Sequence, residues 1–166
     1  MKASKAISIP LLVGLLAHPV PTTAQVIGTV CHDPRVRCNS SYSFAAYQLP
    51  FTIKDKLIKT YKSHTFYSVI LKSVKATGEP DCRYITENER LEVQAIWPTR
   101  KVFTSRHSCP EELVLYENTD QSFNFLAVYA GTGLSEARRV LSEVKTNGRY
   151  PQAYIKRFQA VLEYST

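Results

Sequence analysis

The alternation of apolar and polar residues is clearest in residues 123–158. Half of residues 123–130 are aromatic or β-branched, which is typical of a strand, and Gly131 and Gly133 end this run. Residues 153–158 predict another strand. Between them, four apolar residues recur at the helical spacing i, i+3, i+4 and i+7: Ala137, Val140, Leu141 and Val144. The segment therefore predicts a β-α-β unit.

Both ends of this helix carry end signals. Ser135 is predicted to be the N-cap, and Glu136 follows in the first turn, where a negative charge interacts favourably with the helix dipole. Asn147 and Gly148 predict the C-terminal end, with Pro151 just beyond.

A similar unit precedes this one. Residues 66–74 predict a strand, and Thr86 and Glu89 form a capping box that opens a helix ended by Pro98. Residues 101–107 predict the next strand. Residues 113–116 are then predicted to form a hairpin with the strand that begins at Phe123. The order from residue 66 is strand, helix, strand, strand, helix, strand.

Two segments before residue 66 are less regular. Residues 44–53 are apolar and aromatic but broken by Pro50, which predicts either an edge strand or a cover for one side of the core. Residues 54–64 contain four lysines and predict a short basic helix.

Side chains on a strand alternate between the two faces of its sheet, so the predicted strands divide into two sets. One set is predicted to form the core against the helices: Val69, Leu71, Val102, Leu126, Val128, Ala130 and Ile155. The other set would lie on an open, helix-free face: Ile70, Lys72, Phe103, Phe125, Tyr129, Tyr154 and Lys156. Aromatic rings and lysines on an open face suit stacking on sugars or on bases. The alternative is that residues 44–53 or a second copy cover this face.

The N-terminus has the pattern of a secretory signal peptide over residues 1–24. Lys2 and Lys5 precede a short apolar stretch, and small residues at 22–24 suit cleavage. The predicted domains are this signal, an extension over residues 25–64 with a small disulfide loop, and a folded domain over residues 65–164. We therefore expect a secreted, periplasmic or cell-envelope protein, with no membrane span once the signal is removed.

All four cysteines follow the signal: Cys31, Cys38, Cys82 and Cys109. An even number in an exported chain predicts two disulfides, and sequence alone permits three pairings. We favour Cys31 with Cys38. Cys82 precedes the first helix and Cys109 follows the strand after it, so these two are expected to meet at one edge of the domain.

The net charge is +7, and removing the two lysines of the signal leaves +5. This surplus favours an anionic partner, such as a cell-wall polymer, a lipid headgroup or a nucleic acid, although it is equally typical of a surface that only maintains solubility.

Residues 66–164 resemble the sporulation-related repeat (SPOR) domain. The resemblance rests mainly on FLAVYAGTGLSEARRVLSEVKTNGRYPQAYIKR and, in the first half, on FYSVILKS, where Ser73 matches the serine of the family's turn. Three positions depart from the family pattern: Lys72 stands at a usual glycine, Ile70 at a frequent glutamine and Ala127 at a frequent arginine. Polar contacts would then fall to Lys72, Ser73, Ser105 or Lys156.

The resemblance implies an α+β fold of the order β-α-β-β-α-β. This is a ferredoxin-like sandwich with a four-stranded antiparallel sheet and two helices on one face. It also implies a non-catalytic module that binds peptidoglycan glycan strands through the open face, often at the division site. With the face assignment, the expected ligand-binding residues are Ile70, Lys72, Ser73, Phe103, Phe125, Tyr129, Tyr154 and Lys156.

The sequence contains few of the residue patterns that are typical of an enzyme active site. His32, His64 and His107 are scattered, without metal-ligand spacing, and neither a nucleophile elbow nor a phosphate-binding or dinucleotide-binding motif occurs. We therefore expect no enzyme, no metal and no cofactor. The alternatives are a protein-interaction domain of the envelope or a nucleic-acid-binding module with the same element order. The signal peptide argues against the second.

Overall fold

The computed structural model describes residues 26–29, 49–53, 60–76, 85–105 and 114–163. These residues form eight strands and two helices in the following order: β1 Val26–Thr29, β2 Phe51–Ile53, β3 Thr60–Lys62, β4 Phe66–Lys75, α1 Glu87–Ile96, β5 Val102–Thr104, β6 Val114–Glu117, β7 Phe123–Tyr129, α2 Leu134–Thr146 and β8 Tyr154–Glu163.

The main sheet is antiparallel at every pairing and has the order β3-β8-β4-β7-β5, with β6 also paired to β8. Val161 pairs with Lys62 of β3 and with Leu115 of β6, so these two strands lie on opposite edges of β8. β3 and β4 follow each other along the same edge of β8. The protein is thus α+β, with two helices and a curled sheet of five strand positions rather than the four predicted.

Both helices pack on one face of this sheet, as the resemblance implied. The seven predicted core residues all belong to this helix-side core, with Ile155 partly buried at its margin. Three of the four apolar positions on α2 are fully buried, whereas Leu141 is only partly so. Trp97 packs against Tyr150 and closes one end of this core, with ring centroids 5.9 Å apart.

The predicted start of α1 is confirmed and that of α2 is wrong by two residues. Thr86 is the N-cap of α1, and its hydroxyl accepts a hydrogen bond from the Glu89 backbone N–H at 3.1 Å. Helix α2 begins instead after Gly133, without a side-chain cap. Its end is as predicted, with Asn147 as C-cap and Gly148 at φ +77°.

The prediction that the second face is open is wrong. It holds a separate aromatic core, the aromatic cluster, in which rings from β4, β5, β6, β7 and β8 lie together: Phe66, Phe103, Tyr116, Phe125, Tyr129 and Phe158. Leu49 also belongs to the cluster, so residues before β2 do cover part of this face. This agrees with the alternative of a covered face.

Strand β6 closes this face because it does not form the predicted hairpin with β7. It pairs with the second half of β8, which brings Tyr116 over Phe125 and Phe158 at centroid distances of 5.3 and 5.6 Å. Asn118 adopts a left-handed φ of 63°, and Thr119 Oγ1 donates a hydrogen bond to Tyr116 O at 2.5 Å. This turn connects β6 to β7 without pairing the two strands as a hairpin.

The N-terminal region departs from prediction where it is described. Residues 60–62 form a strand and not part of a basic helix, and β2 pairs with β1 in a separate two-stranded sheet. The predicted signal peptide, residues 54–59 and the four cysteines lie outside the described residues. The domain limits and the disulfide pairing therefore stay predictions.

Candidate ligand-binding pocket

A pocket of about 310 Å³ opens beside the aromatic cluster, where β4 ends and β7 begins. Strands β4, β7 and β8 supply its floor and two of its sides, and the turn between β6 and β7 supplies another. Its lining residues are Ile70, Ser73, Thr119, Asp120, Phe123, Phe125, Tyr154, Lys156 and Phe158.

The aromatic residues of the pocket differ in exposure. Phe125 and Phe158 are 5% and 1% exposed and belong to the aromatic cluster, and their rings stack at 5.0 Å. Tyr154 and Phe123 are 49% and 37% exposed and stand at the rim. The pocket therefore has a buried apolar floor and two exposed aromatic rings that solvent or a ligand can reach.

Two groups of opposite charge lie at the pocket. Lys156 is half-buried and forms no ion pair with any residue that the structure describes. Asp120 Oδ1 accepts hydrogen bonds from the Ser122 hydroxyl at 2.6 Å and from the Ser122 N–H at 2.9 Å. These two bonds, the hydroxyl's first, hold the pKa of Asp120 below its usual value, so this carboxylate is ionised at neutral pH.

A β-bulge decides which polar residue of β4 lies in the pocket. The pairing of β4 with β7 shifts between Ile70 and Lys72, so Leu71 adds one residue and the alternation of faces changes. Ser73 therefore lies opposite Phe125 and lines the pocket. Lys72 lies opposite Leu126 on the helix side, where its ammonium contacts Glu89 of α1 at 2.8 Å.

Five of the eight expected ligand-binding residues thus come together in the pocket: Ile70, Ser73, Phe125, Tyr154 and Lys156. Lys72 was assigned to the wrong face. Phe103 and Tyr129 lie on the expected face but are buried in the aromatic cluster. Burial, and to a smaller extent the charge of Glu136, raises the pKa of Tyr129 to about 12, so its hydroxyl stays neutral. Ser105 is also buried, and its hydroxyl accepts the Phe125 N–H at 2.9 Å.

Four lining residues escaped the sequence analysis. Phe123 and Phe158 share the strand parity of Phe125 and Lys156, so the same alternation would have included them. Thr119 and Asp120 lie in a polar turn whose position depends on the unexpected pairing of β6 with β8.

A second cluster of charged residues is structural in character. Arg90 is buried, donates two hydrogen bonds to the Glu87 carboxylate at 2.6 and 2.8 Å, and donates a third to Val102 O. Burial, followed by the nearby charge of Arg90, lowers the pKa of Lys101 to about 8, and Glu87 partly opposes this shift. These contacts tie α1 to the start of β5.

The pocket can hold a ligand by ring stacking, by one cation and by hydroxyl groups. In the part of the chain that the structure describes, no group of three or more histidine, cysteine or carboxylate side chains could hold a metal ion. Within the same residues, neither helix combines the length and apolar character that crossing a bilayer requires.

Comparisons with protein-family models, with curated proteins and with solved structures find no match for this chain.

Proposed function

We propose that this protein is a non-catalytic, exported module of the cell envelope that binds peptidoglycan glycan in the pocket between β4, β7 and β8. The observation that carries the proposal is the pocket itself, which gathers five of the residues expected to bind a ligand. The order β8-β4-β7-β5, with α1 after β4 and α2 after β7, supports a ferredoxin-like core of the SPOR type.

The chemistry of the pocket suits a sugar. Aromatic rings can cover the apolar face of a pyranose ring, while hydroxyl and charged groups at the rim can bond its polar edge. Tyr154 and Phe123 offer the rings, and Ser73 and Lys156 offer the polar contacts. Glycan binding in this form needs only the pocket and not an open sheet.

A protein-interaction domain is the second candidate, because the exposed rings of Tyr154 and Phe123 could also receive an apolar side chain of a partner. Nucleic-acid binding has lost its support. It relied on exposed rings along β7, and Phe125 and Tyr129 are buried there.

The proposal is tested by sedimentation of the purified protein with purified peptidoglycan sacculi. We expect the protein to sediment, and Tyr154→Ala to weaken binding by roughly tenfold or more, since a stacked ring commonly contributes about 2 kcal/mol. Leu115→Ala is the matched control, because Leu115 is 40% exposed on β6 and is not part of the pocket.

Two outcomes would contradict the proposal. A parent protein that stays in solution excludes glycan binding. If the Tyr154→Ala variant sediments as well as the parent, the glycan binds elsewhere on the molecule. Raising the salt concentration should weaken glycan stacking little, whereas binding to phosphate groups would fall steeply.

A further inference from the structure

One stretch of the edge of β8 has no neighbouring strand among the described residues. Between Tyr154 and Phe158, β4 lies along one edge of β8, while β6 pairs with the opposite edge only from Gln159 onward. At Asn118, the next residue after β6, the chain turns away with a left-handed φ of 63°. The first half of β8 therefore has a free edge in line with β6.

The alternation of the backbone identifies which groups point out of this free edge. Ala160 O accepts a hydrogen bond from the Ser63 N–H, and the Ala160 N–H donates to the Ser63 hydroxyl, so the backbone groups of Ala160 point to the side of β3 and β4. Backbone groups alternate between the two edges of an antiparallel strand, and no register shift interrupts the pairing of β8. The N–H and C=O groups of Ile155 and Arg157 therefore point to the free edge, and no described residue bonds them.

Two other outer edges of the sheet are capped by side chains. On β5, the Val102 N–H donates a hydrogen bond to Gln94 Oε1 at 2.9 Å, and Val102 O accepts one from Arg90 at 3.0 Å. On β6, Tyr116 O accepts a hydrogen bond from Thr119 Oγ1. Proteins commonly protect sheet edges, because exposed backbone groups recruit further strands. The free edge of β8 lacks such a cap in the described part of the chain and is therefore suited to receive an extended peptide.

The side chains beside the free edge favour an acidic partner. Arg157 is exposed on the helix side of the sheet, and Lys156 is half-buried at the pocket. The residues opposite them on β4 are Tyr67 and Ser68, so neither cation has an acidic cross-strand neighbour there. Opposite charges on adjacent strands stabilise the pairing, whereas like charges destabilise it. Acidic residues opposite Arg157 and Lys156 on an added strand would therefore stabilise it.

A second copy of this chain suits the free edge less well. The antiparallel register that uses the outward groups of both copies is centred on Lys156, and it places this lysine opposite the same lysine of the other copy. Arg157 of each copy would then lie beside that pair of like charges. The charges therefore favour a different chain over self-association.

We propose that the free edge of β8 binds an acidic, extended segment of another protein as an added antiparallel strand. The added strand continues the line of β6 and bonds the outward N–H and C=O groups of Ile155 and Arg157. Consecutive residues of the partner then lie opposite Arg157, Lys156, Ile155 and Tyr154. Two acidic residues, a β-branched residue and an aromatic residue suit these positions in that order. This site is separate from glycan binding, because Ile155 and Arg157 do not line the pocket.

The state of the edge is tested first by amide hydrogen exchange of the ¹⁵N-labelled protein, followed by NMR. The amides of Ile155 and Arg157 should exchange at least about tenfold faster than those of Lys156 and Phe158, whose N–H groups point to β4. Equal rates at all four positions would overturn the proposal, because the outward amides would then not be free.

Binding is tested with the peptide acetyl-Ser-Glu-Glu-Val-Tyr-Ser-amide. We expect it to slow exchange at Ile155 and Arg157, and we expect the charge-reversed peptide acetyl-Ser-Lys-Lys-Val-Tyr-Ser-amide to bind more weakly by about tenfold. N-methylation of the first glutamate removes the N–H that faces Arg157 and should abolish binding. N-methylation of the second glutamate, whose N–H points away from β8, should be tolerated. Equal effects of the two methyl groups, or exchange rates that the parent peptide leaves unchanged, would overturn the proposal.

Two variants of Arg157 separate the backbone contact from the charge. Arg157→Gln and Arg157→Pro both remove the cation, but only proline removes the outward N–H. Proline is tolerated where the N–H of an edge strand faces solvent, so both variants should fold. We expect Arg157→Gln to weaken peptide binding by about threefold and Arg157→Pro by about tenfold or more. Equal weakening in the two folded variants would refute strand addition. If the proline variant does not fold, the pair of methylated peptides still decides between the two outcomes.

Discussion

Replacement of Phe125 by alanine tests the closed aromatic face most directly. An open sheet face predicts that this variant stays folded as stably as the parent. In the structure, Phe125 is 5% exposed and its ring contacts those of Phe103, Tyr116 and Phe158 at 5.9, 5.3 and 5.0 Å. The two arrangements therefore predict different free energies of unfolding for the same substitution.

The expected size of the effect follows from these contacts. Truncation of a buried phenylalanine to alanine costs about 3–5 kcal/mol through lost apolar burial and the cavity that remains. Aromatic pairs contribute about 0.5–1.5 kcal/mol beyond the buried area, and Phe125 forms three with rings that the structure describes. We expect a loss of about 4 kcal/mol, which is a large part of the 5–15 kcal/mol typical of a domain.

The measurement is urea unfolding followed by far-ultraviolet circular dichroism, with the free energy extrapolated to zero denaturant. Phe123→Ala is the matched control, because Phe123 lies two residues away on the same strand face but is 37% exposed. It should cost less than about 1 kcal/mol. If both variants lie within 1 kcal/mol of the parent, the second face is not closed by β6 in the way described.

Three further predictions concern the ends of the two helices and the start of β5, each measured by the same unfolding assay. Thr86→Ala should cost about 1 kcal/mol because α1 loses its N-cap, and Thr86→Asn should restore most of it. Gly131→Ala should destabilise somewhat more than Gly148→Ala: both residues have positive φ, but only at Gly131 would a new Cβ displace the Glu136 carboxylate, which forms an ion pair with Arg100; equal losses would contradict this. The pKa of Lys101 is lowered from 10.5 to about 8, so between these values the unfolded state binds more protons and stability should rise with pH, by about 1–2 kcal/mol from pH 7 to 9.5. Lys101→Met should lose this rise, and an identical pH profile for both proteins would refute the assignment.

Much of the helix-side half of the protein follows from local sequence signals. The spacing of Ala137, Val140 and Val144 determines which face of α2 is apolar, and all three are buried. The capping box at Thr86 is a contact between residues three apart, so it forms wherever the helix forms. Strand alternation placed all seven predicted core residues on the helix side for the same reason, since parity along a strand is a property of the backbone.

The pocket depends on contacts between residues far apart in the chain. The β-bulge at Leu71 exchanges the faces of Lys72 and Ser73, and its place is set by pairing with β7 some fifty residues later. The pairing of β6 with β8 turns an expected open surface into the aromatic cluster and brings Asp120 to the pocket. The sequence periodicity of a strand shows how apolar each of its faces is, but it does not show what covers that face. An aromatic face has the same sequence pattern whether it binds a ligand or packs against another strand. Here the long-range pairing of β6 covered most of that face and left the end of β4 accessible.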